Sequence, residues 1–272
     1  MKISLGDFQC VYDRVGEGPD LTLLHSVGLS TREGWRYQIP ALAKHFRVLS
    51  FDFRGLGESE QGSRPSRVDT FVRDLENLLA ELKISHTVVI GISLGGFVAQ
   101  AFALQRPDAL SALVLVSTTC GHLAMNAPSR NERIARVRKL GMAAAADEQL
   151  EKQFAPDFAA ANSDILQWYR GHYLANDPLV YADVLDDLGR VSFCDRLHAI
   201  KCPTLIVAGD SDRSVVAGED PLDSPTKLKS LISGSNLAVI PDAKHYPQID
   251  HADVFNAVVL DFLRRKVPPK LC

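Results

Sequence analysis

Six short, mostly apolar runs, at 21–25, 46–51, 87–90, 112–117, 204–208 and 237–240, punctuate the chain. Runs of this length with little polar alternation predict strands buried on both faces, as in a parallel sheet. The segments between them keep helical spacing instead. Phe71, Leu75, Leu78, Leu79 and Leu82 recur every three or four residues, which lays one apolar stripe along a helix. Strands alternating with amphipathic helices predict an α/β protein with a doubly wound, mostly parallel sheet. In such a sheet, functional groups collect beyond the carboxyl ends of the strands, so the residues just after each run deserve inspection.

The rhythm stops after Cys120 and resumes near Cys202. The intervening stretch reads as helices at 132–140, 148–154, 165–173 and 181–188, with an alanine-rich turn at 143–146. These boundaries predict a core built from 1–120 and 198–272, interrupted by a helical insertion at 121–197. Pro128 and Pro203 stand near the two ends as expected hinges. No repeat of fixed period is visible.

Composition narrows the function classes. With 46% hydrophobic and 23% charged residues, the 272-residue chain can bury a sizeable core. Thirty Lys and Arg against 33 Asp and Glu leave a net charge of −3, which argues against nucleic acid or an anionic membrane as partner. No run of roughly 18 apolar residues is present to span a membrane, and the first ten residues lack the apolar core of a secretion signal. The five cysteines, Cys10, Cys120, Cys194, Cys202 and Cys272, are scattered, with no C-x-x-C pair and no histidine at zinc-ligand spacing. This pattern predicts reduced thiols, a cytoplasmic location and no structural metal.

Directly after the run at 87–90 comes Gly91-Ile92-Ser93-Leu94-Gly95-Gly96, followed by a helical stretch. A G-x-S-x-G turn between strand and helix forces the serine into a strained conformation and pushes its hydroxyl out at the sheet edge. Side chains at 91 and 95 would collide with neighbouring backbone. The plain alternative is a Gly/Ser loop that merely caps a helix. Serine is a weak nucleophile at neutral pH unless an imidazole takes its proton and an acid fixes the imidazole tautomer. Gly209-Asp210-Ser211-Asp212 follows the run at 204–208, and Pro241-Asp242-Ala243-Lys244-His245 follows the run at 237–240. Asp212 is preferred to Asp210 as the acid, because the acid needs loop length to reach the imidazole; Asp210 is expected to support the turn. His245 is preferred to His251, which falls where the last helix starts. After the run at 112–117 stands Thr118-Thr119-Cys120, so the other plausible acid position holds no carboxylate. Two backbone N–H donors for an oxyanion are expected at Val27, in the loop His25-Ser26-Val27-Gly28, and at Leu94. His25 itself reads as a structural imidazole.

With these motifs in place the chain resembles the α/β-hydrolase fold family. The stretches Trp35-Arg36-Tyr37-Gln38-Ile39-Pro40-Ala41-Leu42 and Asp52-Phe53-Arg54-Gly55-Leu56-Gly57-Glu58-Ser59 look most like the 3-oxoadipate enol-lactonase and carboxylesterase branch. The resemblance implies a cofactor-free serine hydrolase with Ser93 as nucleophile, Asp212 as acid and His245 as base. It also implies that the insertion, placed after the sixth strand, is a helical lid over the active site. The implied substrate is a small-molecule ester or lactone. Departures from the branch are His25 at the first loop position and Lys244 in place of the usual glycine before the histidine.

Within the insertion, Arg130, Arg133, Arg136, Arg138 and Lys139 form a basic run, while Ile134, Val137 and Leu140 share one helical face. That spacing leaves most of the cations on a solvated side. Trp168 and Tyr169 are candidate substrate-pocket residues, with lid packing as the plainer role. Two other functions are compatible with the same residues: carbon-carbon bond hydrolysis of a ring-cleavage product, and a non-catalytic small-molecule receptor.

Overall fold

The computed structural model describes residues 1–30, 34–121, 127–214 and 220–267. In chain order its elements are β1 (Lys2–Ser4), β2 (Gln9–Val15), β3 (Asp20–Leu24), α1 (Ile39–Leu42), β4 (Arg47–Phe51) and α2 (Val68–Glu81). Then come β5 (Thr87–Ile92), α3 (Leu94–Gln105), β6 (Leu110–Val116) and five helices, α4 (Ala127–Leu140), α5 (Ala143–Gln153), α6 (Pro156–Ala161), α7 (Ser163–Leu174) and α8 (Pro178–Leu188). The chain closes with β7 (Thr204–Gly209), α9 (Asp223–Leu231), β8 (Asn236–Ile240), α10 (Pro247–Asp250) and α11 (Ala252–Lys266).

The eight strands form one sheet in the order β1-β2-β4-β3-β5-β6-β7-β8. β1 and β2 pair antiparallel with their neighbours, and the rest of the sheet is parallel. The six apolar runs correspond to β3 to β8. Alternate residues of the central strands serve opposite faces: Val89, Leu113 and Leu115 pack with Phe71, Leu75 and Phe97, whereas Val88, Ile90, Val114 and Val116 pack with Phe255, Val259 and Phe262. Helices therefore cover both faces of the sheet, and this explains why neither face needed polar residues. α3, which follows β5, is buried along Leu94 to Ala103, as its lack of a polar stripe requires.

Three differences from the sequence-based expectations have physical causes. The alanine-rich turn and the next helix are one helix, α5, since four alanines carry no breaker. Leu140 does not join the buried face of α4; Ile134 and Val137 are buried, but Leu140 at the helix end is 64% exposed. Pro203 is tied to the sheet instead of hinging, its carbonyl accepting from the Leu113 N–H at 2.9 Å.

The expected set of reduced thiols is also corrected. Cys120 and Cys194 form a disulfide with Cα atoms 5.0 Å apart, across 74 residues of sequence. It closes the helical insertion at its base, where the Phe193 N–H donates to the Cys120 carbonyl at 2.7 Å and Gly121 bridges to Ser192. Cys10 is a buried free thiol, pushed up to about 12 by burial. No helix among the described residues is long and apolar enough to cross a membrane.

Candidate active site

The turn after β5 has the geometry its sequence demands. Ser93 adopts φ 52° and ψ −112°, a region that L residues rarely occupy. A side chain at Gly91 would overlap the Gly95 carbonyl, and one at Gly95 would overlap the Leu24 carbonyl. The strained serine is held from both sides: its N–H donates to the Val116 carbonyl on β6, and its carbonyl accepts from Gly96 N–H and Thr118 Oγ1, each at 3.0 Å. Leu94 is the first residue of α3, so its N–H has no acceptor one turn earlier in the helix and belongs to the positive end of the helix dipole.

The loop after β3 lies against this turn, because the Gly95 N–H donates to the His25 carbonyl at 3.0 Å. Val27 follows two residues later. His25 is buried, and its Nε2 accepts the Phe53 N–H at 2.9 Å. The ring proton therefore sits on Nδ1, which donates to the Ser26 carbonyl at 2.6 Å. Phe53 is fixed in turn by its neighbour Arg54, whose buried guanidinium makes a two-pronged pair with Asp74 at 2.6 and 2.8 Å and also reaches Asp7 at 3.1 Å. Arg54 holds the Asp7 carboxyl well below the usual range, whereas burial raises that of Asp74.

At the far side of the same sheet edge, His245 Nδ1 lies 2.9 Å from Asp212 Oδ2, with both residues at most 3% exposed. The carboxylate can only accept, so the ring proton is on Nδ1 and Nε2 carries the lone pair that a general base needs. Asp212 Oδ1 accepts the Ser214 N–H at 2.8 Å, which fixes the carboxylate plane. Asp210 has a different position: its Oδ1 accepts the Asp242 N–H at 2.8 Å and so joins the two loops. His251 is bonded to Asp250 at the start of α11 and stands apart from the Asp212 pair.

The inserted helices touch both loops. The His245 N–H donates to the Gln153 carbonyl at 3.1 Å, and Lys244 Nζ to the Glu151 carbonyl at 3.0 Å, both at the end of α5. On the other side Asn176, just past α7, donates to the Gly28 carbonyl at 3.1 Å. The Tyr173 ring lies so close over Gly28 that a side chain there would meet it at 2.7 Å. Trp168 and Tyr169 are separated by the fold. Tyr169 is buried beside Phe154, whose ring stacks at 5.2 Å on Tyr246, the residue after His245. Trp168 is 39% exposed and carries the Arg36 guanidinium 4.5 Å above its ring. Of the basic run, Arg136 pairs with Glu148 and Arg138 with Asp183 at the surface, while Arg133 bonds Gln149.

A family described as alpha/beta hydrolase fold matches residues 21–252. The chain belongs to the α/β-hydrolase fold family. Among curated members, a 2-hydroxy-6-oxononadienedioate/2-hydroxy-6-oxononatrienedioate hydrolase of Pseudomonas putida is 31% identical, covering 95% of this chain and 92% of that protein. Among solved structures, the enol-lactonase of Burkholderia xenovorans superposes with a TM-score of 0.86 at 29% identity, covering 94% and 96% of the two chains. A thermophilic esterase of Thermogutta terrifontis gives 0.87 at 26% identity, covering 97% and 98%. These relatives thus include a lactonase, an esterase and a hydrolase of 2-hydroxy-6-oxo dienedioates and trienedioates.

Sequence reasoning missed Tyr246 and Ser26. Their hydroxyls are 2.9 Å apart although 220 residues separate them, and no local motif marks either one. Burial raises the Tyr246 hydroxyl above the ordinary phenol range, so it stays protonated and able to donate.

Proposed function

We propose that this α/β hydrolase is a serine hydrolase that cleaves small-molecule carboxylic esters or lactones through an acyl-enzyme on Ser93. The observation that carries the reading is the buried His245–Asp212 bond of 2.9 Å, at the sheet edge where Ser93 stands in its strained turn. Asp212 keeps the imidazole in the tautomer that presents Nε2 as base. In the first step the Ser93 hydroxyl gives its proton to His245 Nε2 while its oxygen bonds the substrate carbonyl carbon. The carbonyl electron pair moves onto oxygen, where the N–H groups of Val27 and Leu94 donate to it. Return of that pair breaks the ester C–O bond, and the imidazolium hands its proton to the departing alkoxide. Water, deprotonated by His245, then releases the acid by the same steps. No cofactor enters this scheme. Residues 121–197 act as a lid, a role supported by the contacts of α5 with His245 and of Asn176 with Gly28.

A second reading, hydrolysis of a carbon-carbon bond, is favoured by the 31% identity to the ring-cleavage-product hydrolase. The lactonase and esterase superpositions support the first reading. One experiment separates these from a non-catalytic receptor: steady-state assay of a short-chain nitrophenyl ester and of a 2-hydroxy-6-oxodienoate. Repeated turnover of the ester, lost by about 10³-fold or more in Ser93→Ala, is the expected result. Preferred turnover of the dienoate would select the second reading. A single burst without cycling would select the receptor.

A further inference from the structure

β6 lies between the strand that carries Ser93 and the strand that leads to Asp212. The residue at its end is Ser117, whose N–H donates to the Val207 carbonyl on β7 at 3.0 Å. Its φ of 42° lies in the left-handed region that a non-glycine residue rarely adopts. Besides Ser93, only Lys83 and Asp242 share a positive φ among the described non-glycine residues, and both lie in turns. Ser117 is 3% exposed, and among the described residues its Oγ has no hydrogen-bond partner. Buried hydroxyls in native proteins are almost always paired, with protein or with ordered water.

A cavity of about 10 Å³ is lined by Ser117, Thr118, Gly209 and Asp212 together with Pro221 and Pro225. That is the space one water molecule needs. Thr118 Oγ1 already donates to the Ser93 carbonyl, which leaves Ser117 to supply the hydroxyl. From the described residues Asp212 accepts one bond on each oxygen, from Ser214 and His245, so with these partners each oxygen keeps a lone pair. Ionisable groups on the neighbouring loops are engaged with other partners, Asp220 among them through the Leu222 N–H. Asp210 accepts from Asp242, Lys244 donates to Glu151, Asp250 accepts from Ala155 and Lys244, and Tyr246 pairs with Ser26.

We propose that Ser117 is a positioning residue that, together with Asp212, holds one ordered water, through which its hydroxyl fixes the carboxylate that orients His245. The Ser117 O–H donates to the water oxygen, and a water O–H donates to the carboxylate. This third donor disperses part of the Asp212 charge and locks its rotamer. The inference rests on the role of Asp212 proposed above.

The test combines a high-resolution crystal structure of the protein with pH profiles of ester hydrolysis for wild type, Ser117→Ala, Ser117→Gly and Asp212→Asn. Density for a water within hydrogen-bond reach of both Ser117 Oγ and Asp212 is expected. Losing the donor concentrates charge on Asp212 and favours the imidazolium. In both Ser117 variants the acid limb of kcat/KM should therefore move up by about half a pH unit. kcat should fall roughly 3- to 10-fold with KM unchanged, the range for one hydrogen bond. A dry cavity in the crystal, or wild-type profiles in both variants, would overturn the proposal. So would a wild-type profile in Ser117→Gly with a shifted one in Ser117→Ala, because strain alone would then explain the position. If Asp212→Asn stays active, the acid assignment itself has failed and the proposal falls with it. If Asp212→Asn is inactive and the Ser117 variants behave as wild type, only the proposal fails.

Discussion

The Tyr246 hydroxyl lies 2.9 Å from Ser26 Oγ, and both residues are almost completely buried. Ser26 Oγ also receives the Leu29 N–H at 3.3 Å, so this one bond joins the loop that carries His245 to the loop that carries Val27. The proposed base and the proposed oxyanion donor are thereby held in one frame. A catalytic group displaced by a fraction of an ångström loses transition-state stabilisation more than ground-state binding.

Tyr246→Phe tests this link, since it keeps the ring that stacks on Phe154 and removes only the hydroxyl. The expected outcome is a kcat lowered by roughly 10-fold with little change in KM, and a stability loss of about 1 kcal/mol. Ester kinetics alongside urea denaturation measure both. A variant with reduced stability and an unchanged kcat would show that the bond serves packing alone.

The Arg54 cluster yields a prediction in pH. The folded-state pKa of Asp7 lies below its ordinary value of 3.8, chiefly through its hydrogen bonds from Arg54 and then Ser63. A depressed acid contributes stability above its unfolded value and loses it as pH falls toward the folded one. Asp7→Asn should therefore lower the urea midpoint at pH 7, and the gap from wild type should narrow as pH drops below 3.8. A gap that stays constant from pH 7 to pH 3 would mean that Asp7 acts by shape and not by charge.

Much of the sheet could be read from the sequence because strands buried on both faces leave unbroken apolar runs, as Val88 to Ile90 and Leu113 to Val116 do. β2 could not, since Tyr12, Asp13 and Arg14 are only half-buried near the sheet edge and carry no such run. The candidate residues Ser93, Asp212 and His245 stand out because each follows a strand and belongs to a recognisable motif, and strand ends are where a parallel sheet places its chemistry. Ser26, Tyr246 and Ser117 also lie after strands, but no residue motif sets them apart from their neighbours. What they do depends on partners brought together by the fold, and the same is true of Cys120 and Cys194, whose separation of 74 residues matches no motif.

The Cys120–Cys194 bond closes the insertion into a loop anchored on the core. Closing a loop of this length restricts the unfolded chain enough to stabilise the native state by roughly 4 kcal/mol in the chain-entropy account. Cys120→Ser combined with Cys194→Ser should lower Tm by several degrees, and a reducing agent should lower the wild-type Tm by a similar amount. Cys10 and Cys202, the free thiols among the described residues, are the control: reductant should leave the Tm of the double variant unchanged. A wild-type Tm insensitive to reductant would show that the pair is reduced in solution.

The inserted helices give the last prediction, because the fold assigns Trp168 and Tyr169 to different surroundings. Tyr169 is buried in an aromatic series that runs through Phe154 and Tyr246 to His245. Trp168 faces outward beneath Arg36. If the insertion selects substrates while the core performs the chemistry, a change at Tyr169 should alter which acyl groups fit, and a change at Trp168 should do so less. Binding energy made away from the reacting carbonyl can still appear in kcat by positioning it, so the informative quantity is a ratio. The expected outcome is that Tyr169→Leu shifts the kcat/KM ratio between a bulky ester and an acetate ester by more than Trp168→Ala does. Circular dichroism verifies that each variant is folded, since truncating a buried aromatic can cost several kcal/mol. Equal losses on both esters in a folded Tyr169→Leu protein would place the aromatic series among the groups that hold His245 in position, and would make the insertion part of the catalytic apparatus instead of a selective cover.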